Sequence, residues 1–102
     1  MATSERVSVR IPIALSKKLD AYIKELRLES SSQAIEVFLI SFLVNEKDYT
    51  NVSDPILFED KMVIKTFCVS KKVAAQIREI AKGRKTSIGE CIRLAIYYGL
   101  KP

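Results

Sequence analysis

The chain repeats one pattern of residues, and this repeat restricts the fold more than any other feature. Residues 11–23 (IPIALSKKLDAYI) and 69–81 (VSKKVAAQIREIA) align without a gap at an offset of 58. A serine followed three residues later by Gln or Glu also occurs twice, at Ser30 and Ser87, with an offset of 57. The one-residue difference falls in a loop between helices, where insertions are tolerated best. We therefore predict a strand–helix–helix unit twice in one chain.

The first strand is predicted from the strict alternation of polar and apolar residues over residues 6–11 (RVSVRI). A period of two places successive side chains on opposite faces of a strand. One face would bury Val7, Val9 and Ile11, and the other would expose Arg6, Ser8 and Arg10. A lone exposed strand is not stable, so it requires a partner strand and a surface to pack on. We expect that partner near residues 63–69, paired antiparallel because parallel pairing would need a crossover.

Helical periodicity follows both predicted strands. The first helix is expected from Ile13 to about Leu28, with Pro12 suited to its first turn and Leu26 among its apolar residues. Ser30 and Gln33 fit a capping box before a second helix over about 31–46, which is apolar on nearly all sides and must be central to the core or shared with another subunit. In the second half, Ser70 and Ser87 are predicted caps, and Gly83 is predicted to end a helix in the left-handed conformation.

The boundaries follow from these elements and from the distribution of charge. We divide the chain into a first repeat (1–46), a connector (47–61) and a second repeat (62–102), forming one intertwined unit. The net charge is +5 and the pI is about 9.3. Residues 62–102 hold nine basic and two acidic residues, whereas residues 45–61 hold five acidic residues and two lysines. We expect the second repeat to face an acidic partner and the connector to avoid it, with Ile56, Leu57 and Phe58 tucked onto the core.

Composition argues against several classes of function. The chain has no histidine, and Cys68 and Cys91 lack CxxC spacing, so we expect no metal site, no cofactor and no enzyme activity. The apolar run from Val37 to Leu43 is far too short to span a bilayer. The expectation is a soluble, intracellular protein with reduced thiols.

The two repeats together resemble the ribbon–helix–helix family of transcription regulators, of the Arc/MetJ type. The resemblance covers residues 6–45 and 63–100, through VSVRIPIALSKKLDAYI…SSSQAIEVFLISF and IKTFCVSKKVAAQIREI…TSIGECIRLAIYY. It implies a mainly α fold with one two-stranded antiparallel ribbon, in the order β-α-α-β-α-α. Members of the family usually form this ribbon by dimerising. Here the dimer looks fused into one chain, as in tandem regulators found in some archaeal viruses.

The resemblance implies a function for the outward side chains of the ribbon. In the family the ribbon enters the major groove of double-stranded DNA, where its side chains read base edges. The residues at these positions are Arg6, Ser8, Arg10, Ile64, Thr66 and Cys68. Arginine suits guanine, serine and threonine hydroxyls suit several bases, and Ile64 or Cys68 could contact a thymine methyl. The two strands differ, which predicts an asymmetric site read mainly by the first strand; the simpler alternative is a merely solvated strand face.

A second set of residues is implied to contact the DNA backbone. The starts of the second helices present free backbone N–H groups, which bind phosphate readily, although plain capping explains the same residues. Lys65 could extend its stem toward a phosphate from the end of the ribbon. The implied phosphate contacts are Ser30, Ser31, Ser32, Lys65, Arg84, Lys85, Thr86 and Ser87.

Two further expectations concern protein partners. Surplus apolar residues of the second helix, such as Phe42 and Val44, could join neighbouring molecules on DNA and make binding cooperative. The alternative function is an antitoxin-like or other protein-interaction module that uses the same helix. The sequence does not distinguish repression from activation.

Overall fold

The computed structural model describes residues 3–45, 47 and 61–100. It is mostly helical, with one two-stranded antiparallel sheet and, within the described residues, four helices. In chain order the elements are β1 (Ser4–Pro12), α1 (Ile13–Glu25), α2 (Ser31–Val44), β2 (Met62–Ser70), α3 (Lys71–Gly83) and α4 (Ile88–Gly99). The predicted connector and its apolar segment at residues 56–58 lie outside the described residues.

The sheet pairs β1 with β2 over their whole length, from Ser4 opposite Ser70 to Pro12 opposite Met62. Alternation along β1 has the predicted effect: Val7, Val9 and Ile11 are buried, while the residues between them are exposed. In β2 the buried positions are Phe67 and Val69. The expected antiparallel pairing of residues 7–11 with residues 63–69 is therefore confirmed.

The helices cover the buried face of the sheet. Their inward residues join those of the strands in a single core, because a two-stranded sheet has only one apolar face to bury. The largest fully buried side chains come from both halves of the chain: Ile11, Leu15, Leu19, Ile35, Leu39, Phe42, Phe67, Ile77, Ile92 and Ile96. The two halves thus share one core.

The helix starts agree with the predicted caps. The Oγ atoms of Ser30, Ser70 and Ser87 each accept a hydrogen bond from the backbone N–H three residues later. Gln33 does not complete the box as predicted, since its side chain accepts from the N–H of Glu29 rather than that of Ser30. Pro12 is the last residue of β1, one position before α1, rather than the first helical residue.

The helix ends correct the predicted role of Gly83, which is the last residue of α3 and has no positive φ. Arg27 (φ 54°) and Lys85 (φ 56°) take the left-handed conformation instead. Each is enclosed by a backbone hydrogen bond between residues five apart in the chain. These bonds run from Leu28 N–H to Ile23 C=O and from Thr86 N–H to Ala81 C=O. This arrangement satisfies carbonyls that a helix end leaves free. As a result α1 ends at Glu25, earlier than predicted, and Leu26 is exposed rather than part of the apolar face.

Helix α2 buries one face in the core and exposes apolar residues on the other, and it ends at Val44 rather than near residue 46. Phe42, which we expected to be surplus, is fully buried beneath the guanidinium of Arg84. Val37, Ile40 and Val44 are 56%, 47% and 76% exposed and follow one another at helical spacing. We call these three residues the α2 stripe.

The close contact between Gly99 and Phe38 gives a prediction about stability. A Cβ at residue 99 would lie 2.6 Å from Cγ and 2.7 Å from Cε1 of the buried Phe38 ring. Gly99→Ala is therefore expected to lower the free energy of unfolding by about 1–3 kcal/mol through overpacking. Chemical denaturation would measure the loss of stability. Gly83→Ala serves as the control, because no atom lies within 4 Å of a Cβ built at residue 83. Equal stability of the two variants would contradict this packing.

Candidate nucleic-acid interface

Eight side chains are exposed on one face of the sheet, and we call the six central ones the ridge. Its members form three cross-strand pairs: Arg6 with Cys68, Ser8 with Thr66, and Arg10 with Ile64. All six predicted base-reading residues therefore lie together on one face. Because the opposite face of both strands is held by the core, the direction in which these side chains point is set by the fold.

The centre of the ridge is the pair Ser8 and Thr66, whose hydroxyl oxygens are 3.0 Å apart. These two residues are also equivalent in the repeat, since they are separated by the offset of 58. Any twofold relation between the halves must therefore pass through this pair. On either side of this pair the two strands carry different side chains. Both arginines lie on β1, and the equivalent residues on β2 are Ile64 and Cys68.

The outer edges of the strands are held by the second helices. The backbone N–H of Cys68 donates to Oγ of Ser32 (2.9 Å), and that of Ser70 donates to a carboxylate oxygen of Glu36 (3.3 Å). On the other edge, Nη1 of Arg93 donates to the carbonyl oxygen of Arg10 (2.9 Å). Each edge of the ribbon is thus bound to the start of the helix beside it, β2 to α2 and β1 to α4.

The edge bonds also define the spacing of the ridge. Since the N–H of Cys68 points outward, Cys68 and Arg6 form a non-hydrogen-bonded pair, and alternation gives the same status to the other two ridge pairs. In such pairs the Cα atoms are about 4.5 Å apart, closer than in hydrogen-bonded pairs. The ridge is therefore narrow, with its side chains near one another across the strands.

Most of the predicted phosphate contacts lie at the starts of α2 and α4. Ser30 and Ser87 are exposed caps, Ser31 and Ser32 are half-buried in the first turn of α2, and Thr86 donates through its hydroxyl to Glu90. Arg84 and Lys85 precede α4, with Lys85 exposed and Arg84 over the Phe42 ring. Because α2 and α4 are bonded to the strand edges, these positions flank the ribbon on both sides.

Lys65 is not brought to the ridge. It lies at an inward position of β2, half-buried, and its Nζ is 3.2 Å from a carboxylate oxygen of Asp20 on α1. Its equivalent in the first half is the buried Val7. Its position in the alternation of β2 directs the side chain away from the ridge, and the ion pair gives the lysine a partner on that side.

Charge differs between the two flanks of the ribbon. Arg84, Lys85 and Arg93 lie near the start of α4, together with the acidic Glu90. Glu29 and Glu36 lie near the start of α2, where Arg27 is the nearby cation. The flank at α4 and the Arg10 end of the ridge is therefore the more positive one.

An ion pair holds the other end of β1 to α3. The Arg78 guanidinium donates to both carboxylate oxygens of Glu5, at 2.9 and 2.6 Å. These hydrogen bonds, helped by the charges of Arg78 and Lys71, hold the pKa of Glu5 below its usual value of 4.5. Because the folded-state pKa is lowered, the pair stabilises the fold above the unfolded-state pKa, and this contribution is lost as the pH falls through the folded-state pKa.

This pair gives a prediction that NMR titration can check. Arg78→Met is expected to raise the pKa of Glu5 toward its usual value, because the variant removes both hydrogen bonds and the nearest positive charge. The carboxyl chemical shift of Glu5 would report the change, and Lys24→Met, which removes a distant charge, serves as the control. A Glu5 pKa that is the same in wild type and Arg78→Met would contradict the pairing.

Sequence reasoning missed Glu36, Arg93 and Gly89, which lie in the first two turns of α2 and α4. The repeat offset of 57 places Glu36 and Arg93 at equivalent positions, and likewise Ser32 and Gly89. A polar residue six positions after each cap could have indicated a functional position. Its hydrogen-bond partner, however, is a backbone group in the other half of the chain. No sequence pattern identifies such a partner.

Comparisons with protein-family models, with curated proteins and with solved structures found no match to this chain. Within the described ranges, every helix falls short of the length and apolar character that crossing a bilayer requires. Both cysteines are free, Cys68 exposed on the ridge and Cys91 buried in the core.

Proposed function

We propose that this protein is a tandem ribbon–helix–helix regulator that binds double-stranded DNA in a sequence-specific manner. In this proposal one chain supplies both halves of the family's dimer, and the ridge enters the major groove. The observation that carries the proposal is the ridge itself, six exposed side chains on the outer face of a ribbon whose inner face is core.

The tandem arrangement is supported by details that recur at the repeat offset. The three backbone hydrogen bonds at the end of α1 recur at the end of α3, each shifted by 58 residues. The serine caps of α2 and α4 recur at the offset of 57. Agreement at the level of individual bonds favours two copies of one unit over two unrelated segments.

The chemistry of the ridge suits the major groove. The groove is about 12 Å wide and admits a two-stranded ribbon. Arg6 and Arg10 offer paired N–H donors for O6 and N7 of guanine, and the Ser8 and Thr66 hydroxyls can donate or accept at the centre. Ile64 and Cys68 offer apolar contact to thymine methyls. We propose that the DNA site is non-palindromic and that β1, which carries both arginines of the ridge, makes most of the base-specific contacts.

Backbone contacts complete the proposed interface. The N-termini of α2 and α4 flank the ribbon, and their positive dipole ends favour phosphate. The greater positive charge near α4 makes that flank the stronger anchor. Binding should weaken with salt, since each neutralised phosphate contributes about −0.9 to the slope of log K against log salt.

Selection of duplexes from a random pool, followed by mobility shifts at about 50 and 200 mM salt, tests this proposal. We expect enrichment of one asymmetric sequence, bound more tightly than unrelated DNA and less tightly at the higher salt. The absence of enrichment, with equal and weak binding to all duplexes, would contradict sequence-specific DNA binding.

The α2 stripe supports a proposal of self-association on DNA. Exposed apolar residues in a contiguous row commonly mark a protein interface. We propose that neighbouring molecules bound to adjacent sites meet through this stripe, which would make binding cooperative. Ile40→Asp should abolish cooperativity on a two-site duplex and change single-site affinity no more than Lys24→Ala, the control that lowers the net charge by the same one unit. Unchanged cooperativity would contradict the assignment.

The α2 stripe also favours a second candidate function, that of an antitoxin-like module that binds another protein. That function predicts a stable complex in the absence of DNA. As a regulator, the protein would act in the cytoplasm of a prokaryote or of a virus-infected host cell, repressing or activating transcription.

A further inference from the structure

We infer that Arg93 is a positioning residue for base reading: its bond to the Arg10 carbonyl holds the stretch of backbone from which Arg10 reaches the DNA. The inference rests on the proposed function, because it assigns a role to Arg93 in the specificity of the same ridge. Arg93 lies on α4, outside the ridge, and it acts through Arg10 rather than on a base.

Arg10 needs such support because of its place in the ribbon. It forms a non-hydrogen-bonded pair with Ile64, so its own N–H and C=O point to the outer edge of β1. A two-stranded ribbon has no third strand to hold that edge. The guanidinium of Arg93 supplies a charged donor 2.9 Å from the Arg10 carbonyl oxygen, and hydrogen bonds with a charged partner are stronger than neutral ones.

The other half of the molecule holds its edge differently. There, Ser32 accepts the N–H of Cys68, the residue equivalent to Arg10. The equivalent of Ser32 beside Arg10 is Gly89, which has no side chain to offer. A Cβ at residue 89 would lie 3.5 Å from Nη1 of Arg93. Arg93 thus occupies the space beside the strand edge in place of a hydroxyl.

The effect of losing this bond follows from the geometry of base reading. A bidentate contact to guanine requires its groups to be held within about 0.5 Å of the productive position. Without Arg93 the Arg10 carbonyl loses this bond at the outer edge of β1, while Val9 and Ile11 stay packed in the core. The backbone at Arg10 would then be less fixed, and Arg10 would contact a phosphate or a wrong base more readily than it does in the wild type. Discrimination should therefore fall more than total affinity.

The test uses the duplex selected by the wild-type protein and a second duplex altered at the base pair that Arg10 reads. That base pair is identified as the one whose replacement does not change the affinity of the Arg10→Ala variant for the duplex. Arg93→Met is expected to reduce the affinity ratio between the two duplexes about tenfold, as expected for loss of about 1.4 kcal/mol of discrimination. Its salt slope should match that of Lys24→Met, which removes one positive charge elsewhere.

Two outcomes would overturn the inference while leaving the proposed function intact. A uniform loss of affinity on both duplexes, with a salt slope reduced by about 1, would make Arg93 a phosphate contact. Equal loss of discrimination at every ridge position, with a lower unfolding midpoint, would make its role purely structural. Failure of the selection to enrich any duplex is a separate result, which counts against the proposed function itself.

A rescue variant tests the cause directly. Gly89→Ser, added to Arg93→Met, places a hydroxyl where Ser32 lies in the other half, within reach of the outward N–H of Arg10. We expect part of the lost discrimination to return. No recovery would overturn the claim that an edge hydrogen bond at Arg10 is what Arg93 provides.

Discussion

Replacement of Phe67 with alanine is expected to lower the free energy of unfolding by about 3–5 kcal/mol. Phe67 is 0% exposed and lies on the inner face of β2, opposite Val7 on β1. The variant removes an aromatic ring from the contact between the ribbon and the helices, and the surrounding core can fill the resulting space only in part. Equilibrium unfolding in urea would measure the loss.

Ile64→Ala on the same strand is the matched control. Ile64 is 68% exposed on the ridge, so its truncation should change stability by no more than about 0.5 kcal/mol. Both variants truncate a large apolar side chain to alanine, but on opposite faces of the same strand. Similar losses in both would contradict a ribbon with one buried and one exposed face.

The second large effect is expected from Arg10→Ala, on DNA binding rather than on stability. The variant should weaken binding to the selected duplex by about 1–3 kcal/mol and relax the preference at one base pair. The physical reason is that a paired hydrogen-bond donor facing a guanine edge is removed, and alanine cannot replace it. Titrations with the selected duplex and with its single-base variants would measure both quantities.

Lys24→Ala serves as the control for the loss of one positive charge. It should weaken binding slightly and equally on all sequences, because Lys24 lies on α1 and outside the ridge. If Arg10→Ala also weakened binding equally on all sequences, the arginine would be a backbone contact, and the proposed direct reading of bases would fail.

The sequence predicted the ribbon well because a period of two has few alternative explanations. Once Val7, Val9 and Ile11 must face one way, the ridge residues must face the other. The serine caps were equally predictable, since a cap needs only the amide three residues along its own chain.

What the sequence did not predict are the interactions between the two halves. Phe42 looked surplus because α2 is apolar on nearly all sides, and only packing decides which of its faces is buried. The ion pair between Lys65 and Asp20 joins the two halves and was likewise not predicted. Within one half, Gly83 does end α3 as predicted, but the closing hydrogen bonds place the left-handed residue two positions later, at Lys85.

The central claim, that the ridge reads the major groove, is tested most directly by methylation interference on the selected duplex. Guanine N7 lies in the major groove and adenine N3 in the minor groove. We predict that N7 methylation of guanines within the site blocks binding, and that Arg10→Ala loses sensitivity at one of them. Binding that is unaffected by N7 methylation of guanine and is blocked only by methylation of adenine N3 would contradict reading of the major groove by the ridge.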